Sequence, residues 1–371
     1  VLMHEKPFDG VNGSGKHNNW SLGTDTGVGL MAPGKDAKGN LQFVTFFVNV
    51  LAAVQKYNSV LKASIASATN AHRLGGNEAP PAILSTFLGK TMTDVLRKLL
   101  EVPSETPIEI AGKKGRSLGL VEIPEIFVDT TLNAAVADQL ISFKADLDKE
   151  LATGKTLNVA VMDTLKPIIR SVIDVVCFDG NGYSEEWHKE AAARGLDVET
   201  CVPKMFKAFT TEEVVEMFTR TGVYTKTELE ARNEVKWEKY CKKVQIEARV
   251  MGRMAMNHII PVALEYQTSL LKNVSKMKDV FPDEYKNMSA GTIALIQKLN
   301  KYIEEIRTKV SAMVDARKEA NKLPDGYEKA MAYYAIAQSL AEIRRPIDKL
   351  EEFVDNGMWP LPKYRELLFI N

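Results

Sequence analysis

Apolar residues recur at three- and four-residue steps over most of this chain, and alternating stretches are confined to its first part. Residues 1 to about 40 read as turns and short strands, with Pro33-Gly34-Lys35-Asp36 as a turn. Phe43, Phe47, Val50, Leu51, Val54, Tyr57, Val60 and Leu61 predict a helix over 41–66. A second helical segment is expected over about 83–101. Leu118 to Val128 reads as a strand interrupted by Pro124, and Leu132 to Leu151 as a helix. From about residue 157 the pattern is predominantly helical. Thr225 and Glu228 form a capping box. Behind it, Trp237, Tyr240, Val244, Ala248, Met251, Ala255, Ile259 and Val262 predict one long helix, kinked near Pro261. Ile296 to Met313 and Tyr333 to Val354 give two more apolar stripes. Lys322-Leu323-Pro324-Asp325-Gly326 joins them into an expected antiparallel hairpin. The tail Leu367-Leu368-Phe369-Ile370 is apolar and should dock on something.

At 371 residues the chain has room for two domains of roughly 150 residues each. Lys plus Arg and Asp plus Glu stand at 48 each, which argues for neither nucleic acid nor an anionic membrane as partner. The most apolar run, Phe43 to Leu61, is broken by Asn49, Gln55, Lys56 and Asn58, and fits a buried helix better than a membrane span. Cys177, Cys201 and Cys241 are widely spaced, with no C-x-x-C pair, so neither zinc nor a disulfide framework is indicated. That usage fits a reducing cytoplasm, and the first residues carry no basic-plus-apolar signal pattern.

The sharpest local signal is Gly10-Val11-Asn12-Gly13-Ser14-Gly15-Lys16-His17-Asn18-Asn19-Trp20-Ser21. Its first seven residues spell a phosphate loop. His17 then stands where the magnesium-holding hydroxyl is needed, and no buried strand precedes it, which disfavours a P-loop ATPase. The remaining reading is a glycine turn feeding a strand that puts His17, Asn19 and Ser21 on one face and Trp20 on the other. His17 is then either a structural imidazole or a metal ligand. Lys16 reads as a surface lysine. Arg73, in His72-Arg73-Leu74-Gly75-Gly76-Asn77-Glu78-Ala79-Pro80-Pro81, is either solvated or suited to a bidentate grip on a carboxylate.

These strings resemble the glutamine synthetases, and K-H-N-N-W-S resembles their long type III form. Lys6-Pro7-Phe8, the 72–81 loop, Phe178-Asp179-Gly180-Asn181-Gly182-Tyr183-Ser184 with Glu186-Trp187, and Trp359-Pro360-Leu361-Pro362-Lys363-Tyr364 extend the resemblance nearly end to end. The resemblance implies His17 as a ligand of Mg²⁺ (or Mn²⁺). It implies Asn12, Gly13 and Arg73 on the substrate L-glutamate, and Asn19 and Ser21 on ATP. Glu78 is implied as the catalytic base that helps deprotonate ammonium. Other types carry a second His where Asn19 stands. The family's Arg-rich segment is missing near Asp129-Thr130-Thr131-Leu132, where the expected strand meets the expected helix with no connector, so the sequence is expected to close over an absent internal segment.

The implied fold class is α+β. Residues 1–156 are expected to be the C-terminal half of a catalytic domain, an antiparallel sheet with helices, and residues 157–371 a large all-helical extension. The implied reaction joins ammonia to L-glutamate at the expense of ATP, through γ-glutamyl phosphate. This chain by itself is expected to be inactive. A cytoplasmic homo-oligomer of stacked rings, a dodecamer, is implied by the resemblance. The competing reading is a helical oligomerisation or regulatory scaffold that keeps an inactive remnant of the fold. The Met and aromatic stripes of the helical half read as core.

Overall fold

Asp36 starts the first long helix: its carboxylate accepts from the Gly39 N–H at 2.8 Å, satisfying one of the donors every helix start leaves bare. That helix, α1, covers Ala37–Lys56, and α2 covers Asn58–Ile65. The expected single helix is therefore two, parted at Tyr57, whose φ of −103° and ψ of 23° leave the helical region. The computed structural model describes residues 20–71, 83–110, 120–121, 128–182, 184–363 and 366. The chain divides into two compact units, Val1–Lys236 and Trp237–Asn371.

In the first unit the helix α3, Gly89–Glu101, lies in sequence between the two strands of a short ladder. Strands β1, Thr86–Phe87, and β2, Leu120–Val121, pair antiparallel. Next come α4, Val128–Ala152, and α5, Leu157–Ile173. The helices α6, Glu185–Ala193, α7, Val202–Met205, and α8, Glu212–Arg220, complete the unit's helices ahead of α9. The core is helix on helix: α1 packs on α4 and α5, which also pack on each other. Val44, Val48, Leu51 and Ala53 of α1, Ala135 of α4, and Leu165 and Ile169 of α5 are shut off from water.

This corrects the α+β expectation. No antiparallel catalytic sheet lies among the described residues, where the one ladder is two residues long. Two residue pairs bury no face. The long apolar runs of the first 156 residues have helical spacing, and helices therefore cover one another where a sheet was expected. Of the strand expected over Leu118–Val128, the described residues include Leu120–Val121 as strand, and Val128 already belongs to α4, which passes unbroken through Asp129–Leu132. α1 is long and apolar enough to cross a bilayer by length and composition, but 61% of its most apolar window is buried within the protein.

The boundary between units falls inside α9, Lys226–Met254. Its start is the expected capping box: the Thr225 N–H donates to the Glu228 carboxylate at 2.8 Å, and the Glu228 N–H to the Thr225 hydroxyl at 3.3 Å. After α9 one π turn, Ala255–Ile259, leads into α10, Ile260–Val280. The Ile260 N–H reaches back five residues to the Ala255 carbonyl. Pro261 has no N–H for the ordinary bond four residues back, and the wider turn takes up that mismatch. A short helix α11, Tyr285–Met288, precedes the hairpin of α12, Ala290–Lys322, and α13, Tyr327–Phe353. Its antiparallel pairing shows in its contacts. Tyr333 donates to Asn321 at 2.6 Å, Lys309 to the Glu342 carbonyl at 3.1 Å, and Tyr302 stacks on Phe353. Leu299, Ile303 and Ile306 of α12 and Ile343 and Leu350 of α13 are fully buried.

Candidate functional site

Of the residues assigned to chemistry, Ser21 alone lies among those described. Asn12, Gly13, His17, Asn19, Arg73 and Glu78 lie outside them. Ser21 is exposed and has no strand neighbour. The residue after it enters a tight reversal: the Leu30 N–H donates to the Leu22 carbonyl at 2.9 Å, Gly23 bridges Gly29, and the Val28 N–H meets the Thr24 hydroxyl at 3.0 Å. The residue before it is fixed from its side chain. Trp20 is half-buried, and its indole N–H donates to the amide oxygen of Asn133 on α4 at 2.7 Å.

The residues on either side of 72–82 are placed. The one-turn helix Ala68–Asn70 comes before, and Ile83 and Leu84, both buried, come after. Asn58 of α2 donates to the Leu84 carbonyl at 3.0 Å. On the same helix Lys62 is wholly buried, its ammonium held by the Asp197 carboxylate at 2.9 Å and by the carbonyls of Asp197 at 2.8 Å and Glu199 at 2.7 Å. Burial lowers the Lys62 pKa, and Asp197 counters that shift. Three acceptors around an ammonium match its three donors. This lysine is a tie between α2 and the 197–199 segment, with no donor left for a ligand.

A cluster that the sequence reading passed over joins α1, α4 and α8. Asp138 is buried in α4 and accepts from the Tyr57 hydroxyl at 2.5 Å and from Arg220 Nε at 2.7 Å, with Lys56 at 3.5 Å. Burial pushes its carboxyl pKa up, but the hydrogen bonds from Tyr57 and Arg220 prevail and hold it below the usual range. Burial, then the bond to Asp138, drives the Tyr57 phenol far above its ordinary value. A cleft of about 580 Å³ opens beside them, lined by Lys56, Ser142, Glu213 and Arg220 among others. All three cations and hydroxyls facing Asp138 are engaged with it, so the arrangement locks helices together and offers no free base. The signal was present: an acid on the core face of α4, flanked by buried Leu132, Ala135 and Val136.

The later motifs prove to be joints. Asp179 accepts from the Leu88 and Gly89 N–H groups at 3.2 and 3.3 Å and so caps α3. Phe178 stacks on the buried Trp187 with centroids 3.6 Å apart. A Cβ on Gly180 would stand 2.5 Å from that phenyl ring, so only glycine fits. Trp359 is buried, and Lys363 passes its ring to donate to the Glu351 carbonyl at 2.9 Å. None of the three cysteines is in a disulfide, and burial pushes the thiols of Cys177 and Cys241 up to about 12 and about 11. Among the described residues no group of three or more His, Cys, Asp or Glu could hold a metal, so a metal reading rests on His17.

Residues 160–278 match the glutamine synthetase C-terminal domain. The whole chain aligns at 44% identity with 55% of a glutamine synthetase from Bacteroides fragilis (strain YCH46). It aligns over 99% of its length at 33% identity with 56% of a glutamine synthetase from Butyrivibrio fibrisolvens. It aligns over its full length at 30% identity with 54% of the type-3 glutamine synthetase of Dictyostelium discoideum. The likeness to glutamine synthetases, type 3 included, therefore covers this chain from end to end, and the chain spans about half the length of the curated relatives it matches. The Bacteroides alignment runs over 404 positions against 371 residues, so at least 33 positions of that relative have no counterpart here.

Proposed function

We propose that this chain, glutamine-synthetase-like throughout, forms part of an enzyme that joins ammonia to L-glutamate using ATP. The observation that carries the reading is the end-to-end likeness at 44% identity, together with the glycine-rich string that contains His17, Asn19 and Ser21. In the proposed reaction the γ-carboxylate of glutamate attacks the terminal phosphorus of ATP. ADP leaves, and γ-glutamyl phosphate forms. Ammonia then displaces phosphate to give glutamine. Asn12 and Gly13 hold the amino acid, and Arg73 grips a carboxylate with its planar fork. Asn19 and Ser21 face the nucleotide. Glu78 takes the proton that ammonium must lose before nitrogen can attack. Mg²⁺ or Mn²⁺, when bound, would neutralise phosphoryl charge, with His17 as this chain's ligand. The catalytic part is assigned to 1–156 and the helical part to 157–371, in a cytoplasmic homo-oligomer. Exposed Ile246, Val250, Leu271 and Val280 on helices of the second unit, with Phe281 just past the end of α10, support the assembly reading.

The test uses the full-length protein with ATP, glutamate and hydroxylamine in place of ammonia. ATP-dependent γ-glutamyl hydroxamate is expected, and His17→Ala should abolish metal activation while the fold survives. A folded full-length protein that makes no hydroxamate with either metal would leave the scaffold reading standing.

A further inference from the structure

We propose that Asn133 is a positioning residue for the nucleotide-side segment, acting through Trp20; the inference rests on the functional reading above. Ser21, the described member of the pair assigned to ATP, is exposed and lies between two restraints of different kinds. Before it, the Trp20 indole N–H is held at 2.7 Å by the Asn133 amide oxygen. After it, the Leu22 carbonyl is held at 2.9 Å by the Leu30 N–H. An indole has one donor, so this bond uses all of its hydrogen-bonding capacity and orients the ring. Ser21 follows Trp20 directly in the chain, so turning Trp20 turns the Ser21 backbone with it.

Asn133 can act as a fixed post because its helix cannot rotate. Its neighbours Leu132, Ala134, Ala135 and Val136 are buried, and five residues on Asp138 is tied to Tyr57 and Arg220. Gln139 adds a bond to Asn49 of α1 at 3.1 Å. Asn133 itself is exposed, and its bond to Trp20 spans 113 residues of chain. Its side chain therefore serves the aim of the segment more than the stability of the fold. A site is built to tolerance when the first contacts are themselves held by a second layer on a rigid element.

The experiment compares the full-length wild type with Asn133→Leu, Trp20→Phe and the double variant. Kinetics are measured for each substrate, and ATP binding is measured separately by calorimetry. Loss of one neutral hydrogen bond should raise the KM and Kd for ATP about three- to tenfold. KM for glutamate should move less than about twofold, and the double variant should be no worse than either single one. Unchanged ATP binding, equal rises for both substrates, or additive effects would overturn the inference. A wild type that does not turn over ATP and glutamate would instead refute the functional reading and leave the calorimetric comparison to judge Asn133.

Discussion

Asp138 shows how much one side chain decides here. It is buried, ionised, and surrounded by Lys56 of α1, Tyr57 of the α1–α2 break and Arg220 of α8. Its carboxyl is held below the usual range, so its contribution to stability is complete above the unfolded value near 3.9. That contribution is lost as pH falls through the lower folded value. Asp138→Asn removes the charge but keeps the shape. At pH 7 it should cost about 2–3 kcal/mol, less than a fully buried pair because half of Arg220 lies in water. At pH 3 the gap between wild type and variant should shrink. Urea unfolding at the two pH values reads it directly, and a constant gap would show that the charge of Asp138 contributes nothing. Lys62 is the cationic counterpart, buried and saturated by three oxygens.

Among the elements, the α12–α13 hairpin rests on its connector. Gly326 sits at φ 126° and ψ −156°, a region closed to residues with a Cβ. Nothing lies within 4 Å of where that Cβ would stand, so a substitution here strains the backbone without a clash. Gly326→Ala should cost about 1–3 kcal/mol and leave the buried stripe of Leu299, Ile303 and Ile343 in place. Thermal unfolding followed by far-ultraviolet circular dichroism tests it. A melting point equal to wild type would mean the turn relaxes to another conformation. The π turn at Ala255–Ile259 is the other local irregularity, and Pro261 accounts for it.

Across the whole molecule, the second unit leaves apolar side chains in water: Ile246 at 61%, Val280 at 67% and Phe281 at 46% exposed. Such surface is characteristic of subunit contacts, and a closed symmetric assembly would cover it. The full-length protein cut after Asp355 should keep its helices and fall to a smaller species in light scattering. An unchanged assembly would move the contact from the tail to the exposed helix faces. Both results bear on the proposed oligomer and leave the reaction untouched.

The sequence by itself determined which segments are helical in the second half, where the hairpin turns, and where Thr225 and Glu228 begin a helix. Those depend on spacing within a few residues, which one chain displays in full. It also carried the likeness to glutamine synthetases, because Asn12-Gly13-Ser14-Gly15 and His17 are contiguous. The break at Tyr57, and the two residue pairs that the described residues keep of the expected sheet, were decided by tertiary structure. So was the bond between Arg220 and Asp138, 82 residues apart. Apolar spacing tells which face of a helix is buried and is silent on what covers it. A strand has no stability without neighbours, and a buried acid needs a cation whose position in sequence no local pattern reveals.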